Sequence, residues 1–122
     1  MFKLEDEKPI YIQIANWMED AILSGAFQEE AQVPSTTELS ATYRINPATA
    51  LKGVNLLVEE GILYKKRGLG MFVKTGAVKK VAAKHKQQFY EGYVAALIRE
   101  ARKLHLEKQD ILDMIERGFE QP

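Results

Sequence analysis

The stretch Ser35-Thr36-Thr37-Glu38-Leu39-Ser40-Ala41-Thr42-Tyr43-Arg44-Ile45-Asn46-Pro47-Ala48-Thr49-Ala50 holds two helix starts in close succession. Ser35 and Glu38 are spaced as a capping box, in which each side chain accepts a hydrogen bond from a backbone N–H at the helix start. This predicts a short helix from about Thr36 to Tyr43. Asn46-Pro47 repeats the signal: an N-cap acceptor, then a proline whose fixed φ suits a first helical turn. The helix it opens is expected to run to Gly61. Two helices joined by so tight a turn must cross steeply, which is the shape of a helix-turn-helix.

Upstream, Pro9 is placed for a first helical turn, Ile10, Ile14, Trp17, Ala21 and Ile22 fall at helical spacing, and Gly25 closes the helix. Downstream, Ala50, Val54, Leu57 and Val58 make the apolar stripe of the third helix. Ala48, Thr49 and Lys52 point elsewhere, a short-chained face able to approach the floor of a major groove. Ile62 to Lys66 and Met71 to Lys74 flank Arg67-Gly68-Leu69-Gly70 and read as a β-hairpin wing. From about Val78 a long helix carries Ala82, His85, Phe89, Tyr93, Leu97, Ala101 and Leu104, and a short one from about Glu107 to Arg117 carries Ile111, Leu112, Met114 and Ile115. The expected fold is mainly α with a small β wing: a winged helix-turn-helix domain over residues 1–75 and a C-terminal two-helix dimerisation segment over 76–122. The tail is too short to hold a core without help. Its stripe either folds back or pairs with a second copy, and a homodimer through Phe89, Tyr93, Leu97, Ala101 and Leu104 suits a reader of symmetric sites.

The 122 residues suffice for one core and an accessory element, and an apolar fraction of 46% is too high for a disordered chain. The absence of cysteine removes disulfides, thiolate nucleophiles and cysteine-ligated zinc, and fits a reducing compartment. Met1 to Lys8 is charged rather than a basic lead into an apolar run, and nowhere do about 18 consecutive apolar residues occur. A cytoplasmic protein that neither spans a membrane nor is secreted is expected. The formal net charge of zero hides a segregation. Met1 to Leu63 carries 4 Lys/Arg against 10 Asp/Glu, whereas Tyr64 to Tyr90 carries 8 Lys/Arg and no acid. Attraction to phosphate follows such a local patch, because charges beyond about 8 Å are largely screened. The same run could also be a solvated basic face.

From Pro9 to Val73 the chain resembles the winged-helix domain of the GntR family of bacterial regulators. The matching residues are Pro9-Ile10-Tyr11-Ile12-Gln13-Ile14, Ile22-Leu23-Ser24-Gly25, Val33-Pro34-Ser35 with Glu38-Leu39, Glu59-Glu60-Gly61-Ile62-Leu63, and Arg67-Gly68-Leu69-Gly70-Met71-Phe72-Val73. Ile45-Asn46-Pro47-Ala48-Thr49-Ala50, the short C-terminal part, and Leu104-His105-Leu106 with Ile111-Leu112 look like the small YtrA-type subfamily. That resemblance implies a dimeric regulator, usually a repressor, bound to a palindromic operator in double-stranded DNA. It departs at Thr37, where the family commonly has arginine, and at Pro47, Ala48 and Leu51, where other branches often place arginine or threonine.

Candidate DNA-binding residues are Ser35, Thr37, Asn46, Ala48, Thr49, Lys52, Lys66, Arg67, Gly68 and Gly70. Ser35 and Asn46 are caps first, with phosphate as a second role at a helix N-terminus. Thr49 is the favoured contact of the third helix, and Lys52 is near enough for a phosphate. Arg67 suits phosphate or the minor groove, while Lys65 and Lys66 are equally explained as exposed strand lysines. No catalytic residue, metal ligand or cofactor is expected: His85 and His105 lack partners at ligand spacing, and the wing glycines lack the lysine and helix start of a phosphate loop. The residues do not indicate an effector. The rival reading is a winged-helix module that docks on proteins without specific DNA binding.

Overall fold

The computed structural model describes residues 7–122. Met1 to Asp6, part of the charged start and of the expected domain 1–75, lie outside the described residues. The elements are α1 (Ile10–Ser24), α2 (Thr36–Tyr43), α3 (Pro47–Glu59), β1 (Leu63–Lys66), β2 (Gly70–Val73), α4 (Ala77–Phe89), a π-helical segment (Tyr90–Val94), α5 (Ala95–Lys103) and α6 (Lys108–Glu120). They fall into two compact units, Met1–Ala83 and Lys84–Pro122.

In the first unit, Pro9 is the N-cap of α1 rather than its first residue, and its carbonyl accepts from the N–H groups of Ile12 and Gln13. The helix closes on Gly25 at φ 86°, a left-handed position that suits glycine. Ile14, Ala15, Met18 and Ile22 form its buried face. That face is rotated from the expected stripe: at about 100° per residue, Ile10, Trp17 and Ala21 lie on its flank. Ile10 is exposed, and Trp17 sits at the rim with its ring edge-on to Phe27 and Tyr43, centroids 5.6 and 5.9 Å away.

The helix-turn-helix forms as the caps predict. Glu38 N–H donates to Ser35 Oγ at 3.0 Å, and Ser35 N–H to Glu38 Oε1 at 3.3 Å. α2 ends at Arg44 in a left-handed conformation (φ 53°), Ser40 Oγ donates to the Ile45 carbonyl at 2.6 Å, and Ala48 N–H donates to Asn46 Oδ1 at 2.8 Å. Leu39 from α2 and Ala50, Val54 and Leu57 from α3 are buried, each larger aliphatic side chain worth about 1.5–3 kcal/mol when withdrawn from water. α3 stops at Glu59, before the expected Gly61, which takes a positive φ of 74° after the Glu60 cap. Gly53 lets α3 lie directly on α1: a Cβ there would stand 2.8 Å from the Tyr11 carbonyl oxygen and 3.1 Å from Ile14 side-chain atoms.

The wing is antiparallel, pairing Leu63 with Val73, Tyr64 with Phe72, Lys65 with Met71 and Lys66 with Gly70. Gly70 therefore belongs to a strand and not to the tip. A third extended segment, unexpected from the sequence, lines the other edge of β2: Gln32 bridges Phe72, Val33 N–H donates to the Met71 carbonyl and Val73 N–H to that of Ala31, both at 3.0 Å. The core of this unit continues past residue 75, since Ala77 and Val81 from the start of α4 are buried in it.

In the second unit the expected single long helix is interrupted. His85, Phe89, Tyr93, Leu97 and Ala101 recur every four residues, and in an uninterrupted α-helix that run would drift roughly 160° around the axis. The wider turns over Tyr90–Val94, where Ala95 N–H donates back to the Tyr90 carbonyl, absorb part of that drift. α5 ends where His105 takes a positive φ of 59° and Leu106 N–H donates to the Ala101 carbonyl at 2.9 Å. α6 then starts on a Glu107–Asp110 capping box and extends beyond the expected Arg117 to Glu120.

Gly53→Ala is expected to destabilise the first unit by about 1–3 kcal/mol, because neither the Tyr11 backbone nor the Ile14 side chain can yield without disturbing the core. Urea unfolding followed by circular dichroism checks this, and an unchanged midpoint would contradict the close approach.

Candidate nucleic-acid interface

α3 buries Ala50, Gly53, Val54 and Leu57. At about 100° per residue the opposite side is centred on Ala48, Asn55 and Glu59, with Leu51 and Lys52 beside them. All five are exposed. Together with Tyr11 and Leu56 they line one open depression. Thr49 lies on the flank and is half-buried. Lys52 is drawn sideways, its Nζ 4.0 Å from the centroid of the Tyr11 ring, a cation–π contact that ties α3 to α1. Asn55 and Leu51 are missing from the candidates that the sequence suggests. The signal for them is their place on the side of α3 opposite its buried stripe, beyond the first helical turn where the polar candidates cluster.

Asn46 caps the N-terminal end of α3, and Ser35 caps α2. Ser35 is half-buried and Asn46 exposed, and the acceptor oxygen of each is engaged in its cap. The Ser35 hydroxyl hydrogen, the Thr36 and Thr37 N–H groups of α2 and the Thr49 N–H of α3 are the groups that can be offered to a phosphate, since Pro47 has no N–H and that of Ala48 is taken by Asn46. Thr37 is exposed on the first turn of α2.

At the wing, Leu69 N–H donates to the Lys66 carbonyl at 3.0 Å, closing a β-turn with Arg67 and Gly68 at its centre and Gly68 at φ 78°. Arg67 is exposed at the tip. Gly70, at φ 124°, leaves room for Gln32, whose Nε2 donates to the Leu69 carbonyl at 2.7 Å. Lys66 is half-buried, its Nζ over the rings of Phe72 and Tyr64 at 4.3 and 5.7 Å. Its stem and charge lie on the aromatic ladder of the wing, whereas Lys65 is exposed.

Two glutamates fasten the base of this wing. Glu30, itself at a positive φ of 65°, accepts from the Tyr64 hydroxyl and, at 2.6 and 3.0 Å, from the Thr75 hydroxyl and N–H. Glu29 accepts from Val78 N–H at 3.0 Å, at the start of α4. The Thr75 and Tyr64 hydroxyl bonds hold the Glu30 carboxyl below its ordinary value of 4.5, and backbone N–H groups of Gly76 and Val78 do the same for Glu29. The Glu30 carboxylate also raises the Tyr64 hydroxyl.

Of the candidate dimer residues, Phe89, Tyr93, Leu97 and Leu104 are exposed, the first two with rings 5.4 Å apart. Ala101 differs, being 7% exposed within the single chain. Among the described residues no group of three or more His, Asp or Glu could hold a metal, and no helix is long and apolar enough to cross a membrane.

Residues 10–73, the three helices and the wing, match the bacterial regulatory proteins of the gntR family. The chain belongs to the GntR family. Within that family it is YtrA-like: it is 35% identical over 69 residues to the repressor YtrA of Bacillus subtilis, covering 57% of this chain and 53% of YtrA. It is 36% identical over 72 residues to the regulator YurK of the same organism, covering 59% of this chain and 30% of YurK. The chain therefore spans about half of YtrA and under a third of YurK. The fold matches a GntR-family crystal structure from Bacteroides thetaiotaomicron with TM-score 0.78 and 32% identity, over 91% of this chain and 96% of that one. It also matches the DNA-binding domain of AraR in complex with its operator ORR3, TM-score 0.53 and 27% identity, over 60% of this chain and 88% of that one. The GntR winged-helix domain of this chain thus has its helix-turn-helix and wing in the family arrangement.

The glutamate clasp gives this domain a definite acid response. Because both carboxyls are lowered in the folded state, their stabilisation is complete above about pH 4.5 and is lost as pH falls through the lowered folded values. Glu30→Gln is expected to flatten the acid limb of thermal stability below about pH 4.5, with the wild-type curve steeper there. Melting curves across that range, coinciding for the two proteins, would show the clasp to be inactive.

Proposed function

We propose that this protein is a DNA-binding transcription regulator that acts as a homodimeric repressor on a palindromic operator. The observation that carries the reading is the exposed outward side of α3 in a domain that also carries two capped helix N-termini and a wing tipped with Arg67. In the proposed complex α3 of each subunit lies in the major groove of a half-site. The N–H groups of Thr36, Thr37 and Thr49 meet phosphates, and Arg67 reaches the adjacent backbone or minor groove. Half-sites about 34–36 Å apart suit two such helices. The AraR complex supports DNA as the partner, and repression is carried over from the name of YtrA.

The tail supports the dimer. Phe89, Tyr93 and Leu104 are 58%, 70% and 62% exposed in the single chain, and Leu97, Leu112, Met114 and Ile115 are exposed as well. So much apolar surface on a short helical hairpin calls for cover, which a second copy supplies symmetrically. Two DNA-binding domains held by one tail interface also explain why the operator should be palindromic.

Binding to the DNA upstream of its own gene is expected to be specific and to fall steeply as salt rises, through release of phosphate counterions. Arg67→Ala is expected to weaken it on all sequences and to reduce the salt slope by about 1. Fluorescence anisotropy at several salt concentrations, with random duplex as control, makes the check. Salt-insensitive or sequence-blind behaviour would redirect the domain to a protein partner.

A further inference from the structure

We infer that α3 reads A·T base pairs in its half-site: the thymine 5-methyl packs against Leu51 and Ala48, and Asn55 hydrogen-bonds the adenine edge. The inference rests on the reading of this surface as a DNA interface and specifies what it recognises.

Three observations lead to it. The first is what the outward side of α3 offers: Ala48, Leu51 and Asn55 are exposed on consecutive turns. Leu51 is 46% exposed and contributes nothing to the core, so its position is not explained by folding. In a major groove the one apolar feature of a base pair is the thymine methyl, and a small or branched aliphatic side chain is its natural contact. The second is Asn55, one turn farther along the same side. Its amide matches the adenine N6 donor and N7 acceptor together, a pairing that no other base edge offers. The third is what is missing for guanine. Its O6 and N7 acceptors call for an arginine or lysine. α3 carries a single basic residue, Lys52, and its ammonium is held over the Tyr11 ring at 4.0 Å. Glu59, the acid on this side, lies at the far end of α3 and leaves the N-terminal half free of like charge to phosphate.

The test begins with duplexes selected from a random library by the full-length chain. The selected site is then rebuilt with deoxyuridine for thymine, which removes only the 5-methyl, or with 7-deazaadenine for adenine, which removes only N7. Deoxyuridine at the contacted position is expected to weaken binding about fourfold, the worth of one buried methyl group. 7-Deazaadenine is expected to weaken it roughly tenfold. Leu51→Ala should lose most of the preference for the thymine over the uracil duplex, with Ala48 left as the remaining contact, and Asn55→Ala should no longer distinguish adenine from 7-deazaadenine. Equal wild-type affinity for the thymine and uracil duplexes would overturn the inference while leaving DNA recognition intact. So would a Leu51→Ala protein that discriminates them as strongly as the wild type does. A selection that enriches no duplex would remove the underlying reading, and this inference with it.

Discussion

The close contact of α1 with α3 at Gly53 sets the geometry of the whole helix-turn-helix surface. A bare α-carbon lets the backbone of α3 approach the Tyr11 carbonyl more closely than any side chain would allow, and Ile14, Ala50, Val54 and Leu57 are buried around that approach. Packing this close fixes the rotation of α3 about its axis. Which residues face outward is thereby decided from within: with Gly53 and Val54 turned to the core, Ala48 and Asn55 are turned away from it. The same proximity brings the Tyr11 ring under Lys52. Surface chemistry on one side of the helix is thus a consequence of core packing on the other.

The parts of the fold legible in the sequence are those specified by short-range chemistry. Ser35 with Glu38, and Asn46 with Pro47, state helix starts through hydrogen bonds that span two or three residues, and both formed as expected. The wing was legible because Gly68 sits at a turn that needs positive φ. What escaped depends on distant partners. Ala31-Gln32-Val33 is too short a stretch to mark a strand, and it is held extended by an isolated bridge and backbone hydrogen bonds along the free edge of β2. Glu29 and Glu30 look like solvated charge until the fold brings Tyr64, Thr75 and Val78 to them. The outward side of α3 was only partly legible, since Thr49, favoured from its place in the first turn, lies on the flank, and Asn55 stands opposite the core.

Charge in the winged-helix unit is arranged by use. The acids at Glu29 and Glu30 are consumed as acceptors at the base of the wing and the start of α4, where helix N–H groups favour negative charge. The wing lysines divide the work: Lys66 lies on aromatic rings, which stiffens the hairpin, while Lys65 and Arg67 remain at the surface. A formal net charge of zero is therefore compatible with a basic wing, because acids such as Glu29, Glu30 and Glu38 are already bound as hydrogen-bond acceptors.

The π-helical segment over Tyr90–Val94 gives the tail a particular kind of evolvability. Such a turn holds one residue more than an α-helix would. Removing a residue there would restore ordinary helical geometry with little rotation of the side chains from Ala95 onward, because five residues in the wider turn sweep about as far as four at roughly 100° each. Elsewhere in the helix the same deletion would swing everything after it by about 100°. A change of length by one residue is thus absorbed in this stretch, and two chains of nearly identical tail sequence but different length at this point would still offer matching faces.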